Sequence, residues 1–369
     1  MPRKGPTLAA FLALGTFWGA WAAVLPSVQR ATHVSKGTLG LALLFVTLTA
    51  IPVMLFAAGP LVDRFGVRAM TVGCAAFAAA ATLPGLATSL PMLILALAAA
   101  GAATGALDVA MNASAGRIES VSGKRLMPLA HGLYSVGVLI GAVGAGLARS
   151  AGSGREPVLL GVSILIALVG LWTATDSSPV SVTEGRRLNF VRALVLIGLV
   201  GAAAFVVEGG IESWSALFLE RQLHAHPAVS GLGPGFFGGS MAAGRFFAQG
   251  TRLSDRVLLV AGGAVAAAGC LLAAAAPNSG VALAGFVLGG LGVSLNAPIV
   301  FGAGGRRSAA GVATVTTLGY AGLLVGPPLV GEVAQASSLR ISFVVLAVVA
   351  ALTAVVATRL RLDSAPARS

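Results

Sequence analysis

The chain has 369 residues, of which 57% are apolar and only 10% charged. The apolar residues fall in blocks of roughly 20, the length a helix needs to cross about 30 Å of hydrocarbon, which excludes a soluble domain with or without a single anchor. The net charge of +12 sits in short loops between those blocks, so it reports topology and not nucleic-acid binding.

In chain order, the apolar runs predict twelve transmembrane helices at about 7–29, 38–60, 69–88, 91–114, 127–148, 157–175, 191–219, 229–250, 256–276, 280–303, 308–334 and 340–358. The first run follows MPRKGP and continues to Pro26, so it is expected to stay as a span and not to be cleaved as a signal peptide. Of the 24 lysines and arginines, Arg30, Lys36, Arg149, Arg155, Arg221 and Arg340 fall on one face, and the rest, Arg245 among them, share the face that holds both termini. The basic-rich face is expected to be cytoplasmic, in a bacterial inner membrane. Cys74 and Cys270 lie in apolar runs without polar company, so neither a disulfide, a metal site nor a cofactor is implied.

The polar stretch from Asp176 to Asn189 divides the spans six and six, giving an N-terminal bundle at 1–175, a cytoplasmic linker at 176–190 and a C-terminal bundle at 191–369. An internal repeat supports two related halves. Gly101, Gly105, Leu107, Val109, Asn112 and Ala113 in span four each find an identical residue 184 positions later, and Gly137, Gly141 and Gly146 in span five match Gly322, Gly326 and Gly331 in span eleven.

Between spans two and three runs GPLVDRFGVR, one acid and two arginines in a link too polar for hydrocarbon. With Gly59, Asp63, Arg64, Gly66 and Arg68 in this order, the loop resembles the signature of the major facilitator superfamily, and the twelve-span, two-bundle plan resembles that fold over essentially the whole chain. More local runs, DVAMN at 108–112, HGLYSVG at 131–137, EGGIESWSALFL at 208–219 and TLGYAGLLVGPPLVG at 317–331, resemble the bacterial branch near the fucose permeases. The resemblance implies an all-α fold of two pseudo-symmetric six-helix bundles and a signature loop that gates the cytoplasmic end. There Asp63 is expected to pair with Arg117, and Arg64 and Arg68 to reach Glu119 or Asp176. The second-half counterpart of the loop departs from the family pattern, with Gln249 and Gly250 where a Gly-Asp pair is usual and Asp255 as a possible substitute.

Carboxylates inside lipid are costly, about 2.5–3.5 kcal/mol on insertion scales, and so ask for a reason. Counting along the spans puts Asp108 in the cytoplasmic third of span four, with Asn112 a turn further on, and Glu208 in the outer third of span seven, with Glu212 beyond it. The two sets of acids are thus expected at opposite ends of a pathway. Glu208 reads as a proton carrier or substrate contact or as a structural carboxylate. Asp108 reads as a substrate or proton contact, as a clasp between the cytoplasmic ends of the halves, or as a hydrogen-bonded pair with Asn112 or a span-five residue, and Glu212, nearer the interface beside Trp214, as a solvated acid, a gate contact or a functional carboxylate. Asn112 and Asn296 occupy equivalent repeat positions, which suits symmetric packing. His131 titrates near neutral pH but equally suits a helix start, and Trp18, Trp21, Tyr134 and Tyr320 suit either a ring-stacking site or packing.

These readings converge on a non-enzymatic secondary transporter. It would move a small solute by alternating access, monomeric in the bilayer and coupled to protons, in uptake of a sugar-like solute or in efflux of an amphipathic metabolite. An intramembrane enzyme would need a nucleophile and base or a metal cluster, and His33, His131, His224 and His226 are scattered with no HExxH or GxSxG run. A non-transporting sensor lacks an appended soluble domain to speak for it.

Overall fold

The computed structural model describes residues 3–123, 126–176, 178, 194–248, 251–305 and 309–360, and every regular element among them is helical. Helix α1 (Lys4–Thr32) is followed by α2 (Lys36–Pro52), which continues through a π-helical turn at Val53–Ala57 into α3 (Ala58–Phe65). Next come α4 (Arg68–Ala81), α5 (Leu83–Leu86), α6 (Leu90–Ser122), α7 (Met127–Ser150) and α8 (Arg155–Thr173). The second part holds α9 (Val195–Gln222), α10 (Pro227–Ser230), α11 (Leu232–Ala248), α12 (Asp255–Ala275), α13 (Ser279–Val293), α14 (Asn296–Gly305), α15 (Ala309–Ala336) and α16 (Leu339–Ala357). Among the described residues ten helical stretches are long and apolar enough to cross a membrane, and α11, at 17 residues, and α15, at 28, stand at the other two positions expected from sequence.

Local chemistry sets the helix starts. Ser35, Ser254, Asn278 and Ser338 each accept a backbone N–H from three residues on, at Thr38, Val257, Val281 and Ile341. Pro91, Pro128 and Pro227 stand in the first turns of α6, α7 and α10, where their missing N–H costs nothing. Two interruptions were not legible in the apolar pattern. Pro52 removes a donor just ahead of the π-turn, where the Ala58 N–H reaches back five residues to the Val53 carbonyl. The tenth span breaks at Ser294 and Leu295, between α13 and α14.

Helices α8 and α16 turn large apolar side chains outward: Ile164, Leu168 and Leu171 on the first, Val348, Leu352 and Val355 on the second, all exposed. Stripes of that size would drive aggregation in water and are the normal surface in lipid. Inward, the helix pairings recur at matching positions. Helix α1 packs on α7 as α9 packs on α15, α2 on α6 as α11 on α13, and α4 on α8 as α12 on α16. The two sets then meet through α2 on α15 and α7 on α11.

The repeated glycines sit at these contacts. A Cβ on Gly137 or Gly141 would lie 2.2 Å from the Leu12 carbonyl oxygen or 2.0 Å from that of Thr16, so both positions hold α7 against α1. Their counterparts Gly322 and Gly326 stand 2.1 Å from the Ala202 oxygen and 2.7 Å from the Val206 oxygen by the same measure, holding α15 against α9. Gly146 and Gly331 work between the two sets, facing the Pro227 carbonyl at 2.9 Å and the Lys36 carbonyl at 2.7 Å. In lipid, where helices gain little by burying apolar surface, such backbone approach supplies the packing.

Candidate functional site

Polar chemistry gathers in three places: the signature loop, the middle of the helix bundle, and the end of the molecule opposite the loop. In the signature loop, Gly66 adopts φ 59° and ψ −136°, a conformation that a side chain strains, and its N–H closes α3 on the Val62 carbonyl at 2.7 Å. Gly59 meets open space on α3, so neither backbone nor neighbours require glycine there. Asp63, Arg64, Arg68 and Arg117 are exposed, and the Arg64 guanidinium lies 5.4 Å from the Phe65 ring centre.

The carboxylates expected to meet Arg64 and Arg68 bond backbone N–H groups in this structure. Glu119 accepts the backbone N–H groups of Leu126 and of Met127, the latter at 2.9 Å, and so caps α7. Asp176 accepts the Arg3 N–H at 2.5 Å and the Ser178 N–H at 2.9 Å, tying the end of α8 to the start of α1. Burial pushes the Asp176 carboxyl up, but the hydrogen bonds from Ser178 and Arg3 outweigh it and hold the group below the usual aspartate range. The resulting stability is present above the unfolded-state value, about pH 3.9, and is lost as pH falls through the lowered folded value. Asp176→Asn is therefore expected to lower the melting temperature near neutrality, with the difference from wild type closing in acid. A gap that widened in acid would contradict this assignment. Gln249 and Gly250 of the second-half counterpart lie outside the described residues, and Asp255 stands in the first turn of α12 behind its Ser254 cap.

In the interior, helices α6, α7, α9 and α11 bring together residues from both parts of the chain. Helix α9 runs from Val195 to Gln222, which puts Glu208 at its midpoint and not in the outer third. Tyr134 on α7 lies within electrostatic reach of Glu208, Glu212 and Asp108 together, so the acids converge instead of occupying opposite ends of a pathway. Arg245 on α11 is within the same reach of Glu208, Glu212, Tyr134 and His131. Its Nη1 donates to Ser135 Oγ at 3.1 Å, and its Nε donates to the Ser294 carbonyl at 3.3 Å, an acceptor at the break between α13 and α14.

Asp108, Asn112, Tyr134, Glu208, Glu212 and Arg245 are all part-exposed. Asn112 donates to the Asp108 side chain at 3.1 Å and to its backbone carbonyl at 2.8 Å. Asn296, at the matched repeat position, likewise donates to a carbonyl one turn back, that of Val293 at 3.4 Å, but it opens α14, is 5% exposed and has no partner for its side-chain oxygen among the described residues. His131 meets Phe11 edge-on at 5.3 Å, Trp18 meets Phe17 at 5.1 Å, and Tyr320 is part-exposed on α15. Trp21, at 4% exposure, belongs to the packed core.

The third centre was missed from the sequence. Glu220, near the end of α9, accepts Arg149 Nη1 at 2.6 Å and Ser230 Oγ at 2.7 Å on one oxygen, and Arg30 Nη1 at 3.1 Å on the other. Arg149 also donates to the Ala23 carbonyl at 2.7 Å and to Ser27 Oγ at 3.1 Å. The Arg149 and Glu220 side chains are only 3% and 7% exposed, so this buried network fastens α1 and α7 to α9 and α10. Arg30 and Arg149 read as topology markers because they stand at span ends. The available signal was Glu220, an acid on the face with few bases.

A family model described as Major Facilitator Superfamily matches residues 7–306. The chain belongs to the major facilitator superfamily. It is 32% identical to an uncharacterised MFS-type transporter of Yersinia pestis, over 91% of this chain and 90% of that one. It is also 31% identical to the membrane protein MosC of Rhizobium meliloti, over 92% and 86%. Among solved structures, a bacterial homologue of the human lysosomal transporter Spinster, in an inward-facing and occupied conformation, superposes with a TM-score of 0.72 at 18% identity over 98% of both chains. The nucleoside transporter NupG gives 0.73 at 14% identity, over 97% of this chain and 99% of that one. At such identities the two superpositions establish the fold alone.

Proposed function

We propose that this facilitator-superfamily chain is a proton-coupled secondary transporter of a small polar solute in the bacterial inner membrane, with both termini cytoplasmic. Residues 1–175 and 191–369 form two bundles joined by the linker 176–190 and rock about a site between them. The observation that carries this reading is the convergence of Asp108 and Tyr134 from the first bundle with Glu208, Glu212 and Arg245 from the second. Two carboxyl groups, Glu208 and Glu212, beside the one Arg245 guanidinium leave more acid than that cation can neutralise in a low-dielectric interior. Uptake and release of a proton relieves that excess as access alternates between the two sides.

The paired contacts of α2 on α15 and of α7 on α11 support the rocking geometry, because the matched spans of the two bundles exchange roles across them. The Glu220 network closes the end opposite the signature loop, which this reading assigns to the periplasmic side. A thermal-shift screen against sugars, nucleosides and amphipathic compounds identifies the solute, since a ligand that binds the folded state raises its melting temperature. Uptake of that solute into proteoliposomes then tests coupling. Glu208→Gln and Asp108→Asn are expected to abolish stimulation by a pH gradient. Gradient-stimulated uptake unchanged in both variants would refute proton coupling through these groups.

A further inference from the structure

Beside the Glu220 network a recess of about 540 Å³ opens between the end of α1, the start of α2 and the end of α9, lined by Gln29, Arg30, His33, Val34, Lys36 and Arg221. Three of these six side chains carry a fixed positive charge, a fourth is a histidine, and none is an acid. Two carboxylates adjoin its lining: Glu220, which Arg149 and Ser230 also hold, and Glu332 on α15, which faces Gly37. Counting Arg149, four fixed cations meet two carboxylates, so positive charge is in surplus.

Topology does not account for the surplus, because this end carries only six of the chain's 24 lysines and arginines, and three of them line one recess. Two geometric features aim that charge inward. Lys36 opens α2 behind its Ser35 cap, so the positive end of the helix dipole faces the same space. Arg30 gives one nitrogen to Glu220 and another to Ser27 Oγ at 3.0 Å, yet its side chain remains 47% exposed, with further N–H groups to offer.

We propose that this recess binds a phosphate-type oxyanion, and that the bound anion draws Arg30 away from Glu220 and leaves the Glu220 network, the latch at this end, to Arg149. Guanidinium and ammonium groups on three different elements suit the several oxygens of such a group, and Arg30 belongs to both the recess and the latch. The same chemistry fits a free phosphate-bearing solute and the headgroup of an anionic lipid. The binding part stands apart from transport. The coupling part rests on the alternating-access reading.

The test uses the full chain in phosphatidylcholine nanodiscs, titrated with inorganic phosphate against chloride at equal ionic strength and followed by thermal unfolding. A saturable rise in melting temperature is expected, and Lys36→Gln with Arg221→Gln should weaken it by about fivefold per charge, the scale of one contact between unit charges in a water-like medium. Neither residue takes part in the Glu220 network. A parallel sample in phosphatidylglycerol nanodiscs without phosphate separates the sources. Stabilisation there, lost in the double variant and not increased by added phosphate, assigns the site to a lipid headgroup and supports the proposal. No response to phosphate or phosphatidylglycerol beyond chloride and phosphatidylcholine, or an equal response in the double variant, overturns it. Spin labels at Ala151 and His224 report the coupling: their separation should broaden with phosphate in the wild type, and a response in melting temperature at fixed separation would refute the link to the latch while leaving the binding site intact.

Discussion

Glu220→Ala is expected to cost about 3–5 kcal/mol of stability in the closed state, because it leaves the Arg149 guanidinium buried with its charge unpaired. The Ala23 carbonyl and Ser27 hydroxyl continue to accept from Arg149, but neither neutralises it. The protein is therefore expected to separate α7 from α9 and admit water, which appears as a lower melting temperature and as reactivity of a cysteine placed at Ser230. Exchanging the two charges, Arg149→Glu with Glu220→Arg, should not restore the closed end, since a carboxylate at 149 would face the Ala23 carbonyl where a donor is needed. Full recovery in the exchanged protein would show that charge alone, without this hydrogen-bond geometry, sustains the contact.

The second large effect concerns the repeated glycines. Gly137→Ala and Gly322→Ala each place a methyl group 2.1–2.2 Å from a carbonyl oxygen of the facing helix, which forces α7 from α1 in one case and α15 from α9 in the other. Backbone cannot yield as a side-chain tip can, so each substitution is expected to cost about 1–3 kcal/mol, the usual scale for overpacking. The two costs should be similar, because the contacts are repeat counterparts. Gly59→Ala is the internal comparison: its position on α3 meets open space, so alanine there should be neutral or slightly stabilising. Thermal unfolding of the three variants decides the matter. Equal losses at all three would mean that the glycines act through chain flexibility and not through close approach.

The twelve helices and the repeat were readable because lipid imposes run length, and because Gly137, Gly141, Gly322 and Gly326 recur at spacings that helix contact requires. The π-turn after Pro52 and the break at Ser294 were not, since both keep an apolar composition and change only hydrogen bonding. Placement of the acids failed for a related reason. An apolar run marks the span but not the bounds of the helix, and with α9 running past 219 to Gln222, Glu208 falls near the middle of its helix. Arg245 and Arg149 were hidden by the rule that revealed topology, because a base near a span end looks the same whether it faces headgroups or, like these two, folds back onto Ser135 or Glu220. Which neighbour a charge meets depends on helices far away in sequence, and one chain read alone contains no record of that.

Alternating access is tested most directly by measuring both ends of one molecule. Spin labels at Ala151 and His224 span the Glu220 end, and labels at Ser120 and Leu253 span the signature-loop end, with the buried Cys74 and Cys270 replaced beforehand. In nanodiscs, Glu220→Ala should lengthen the first separation and shorten the second. Opening at the Glu220 end with no change at the signature-loop end, or one fixed pair of distances in wild type and variant alike, would contradict two bundles rocking about a central site.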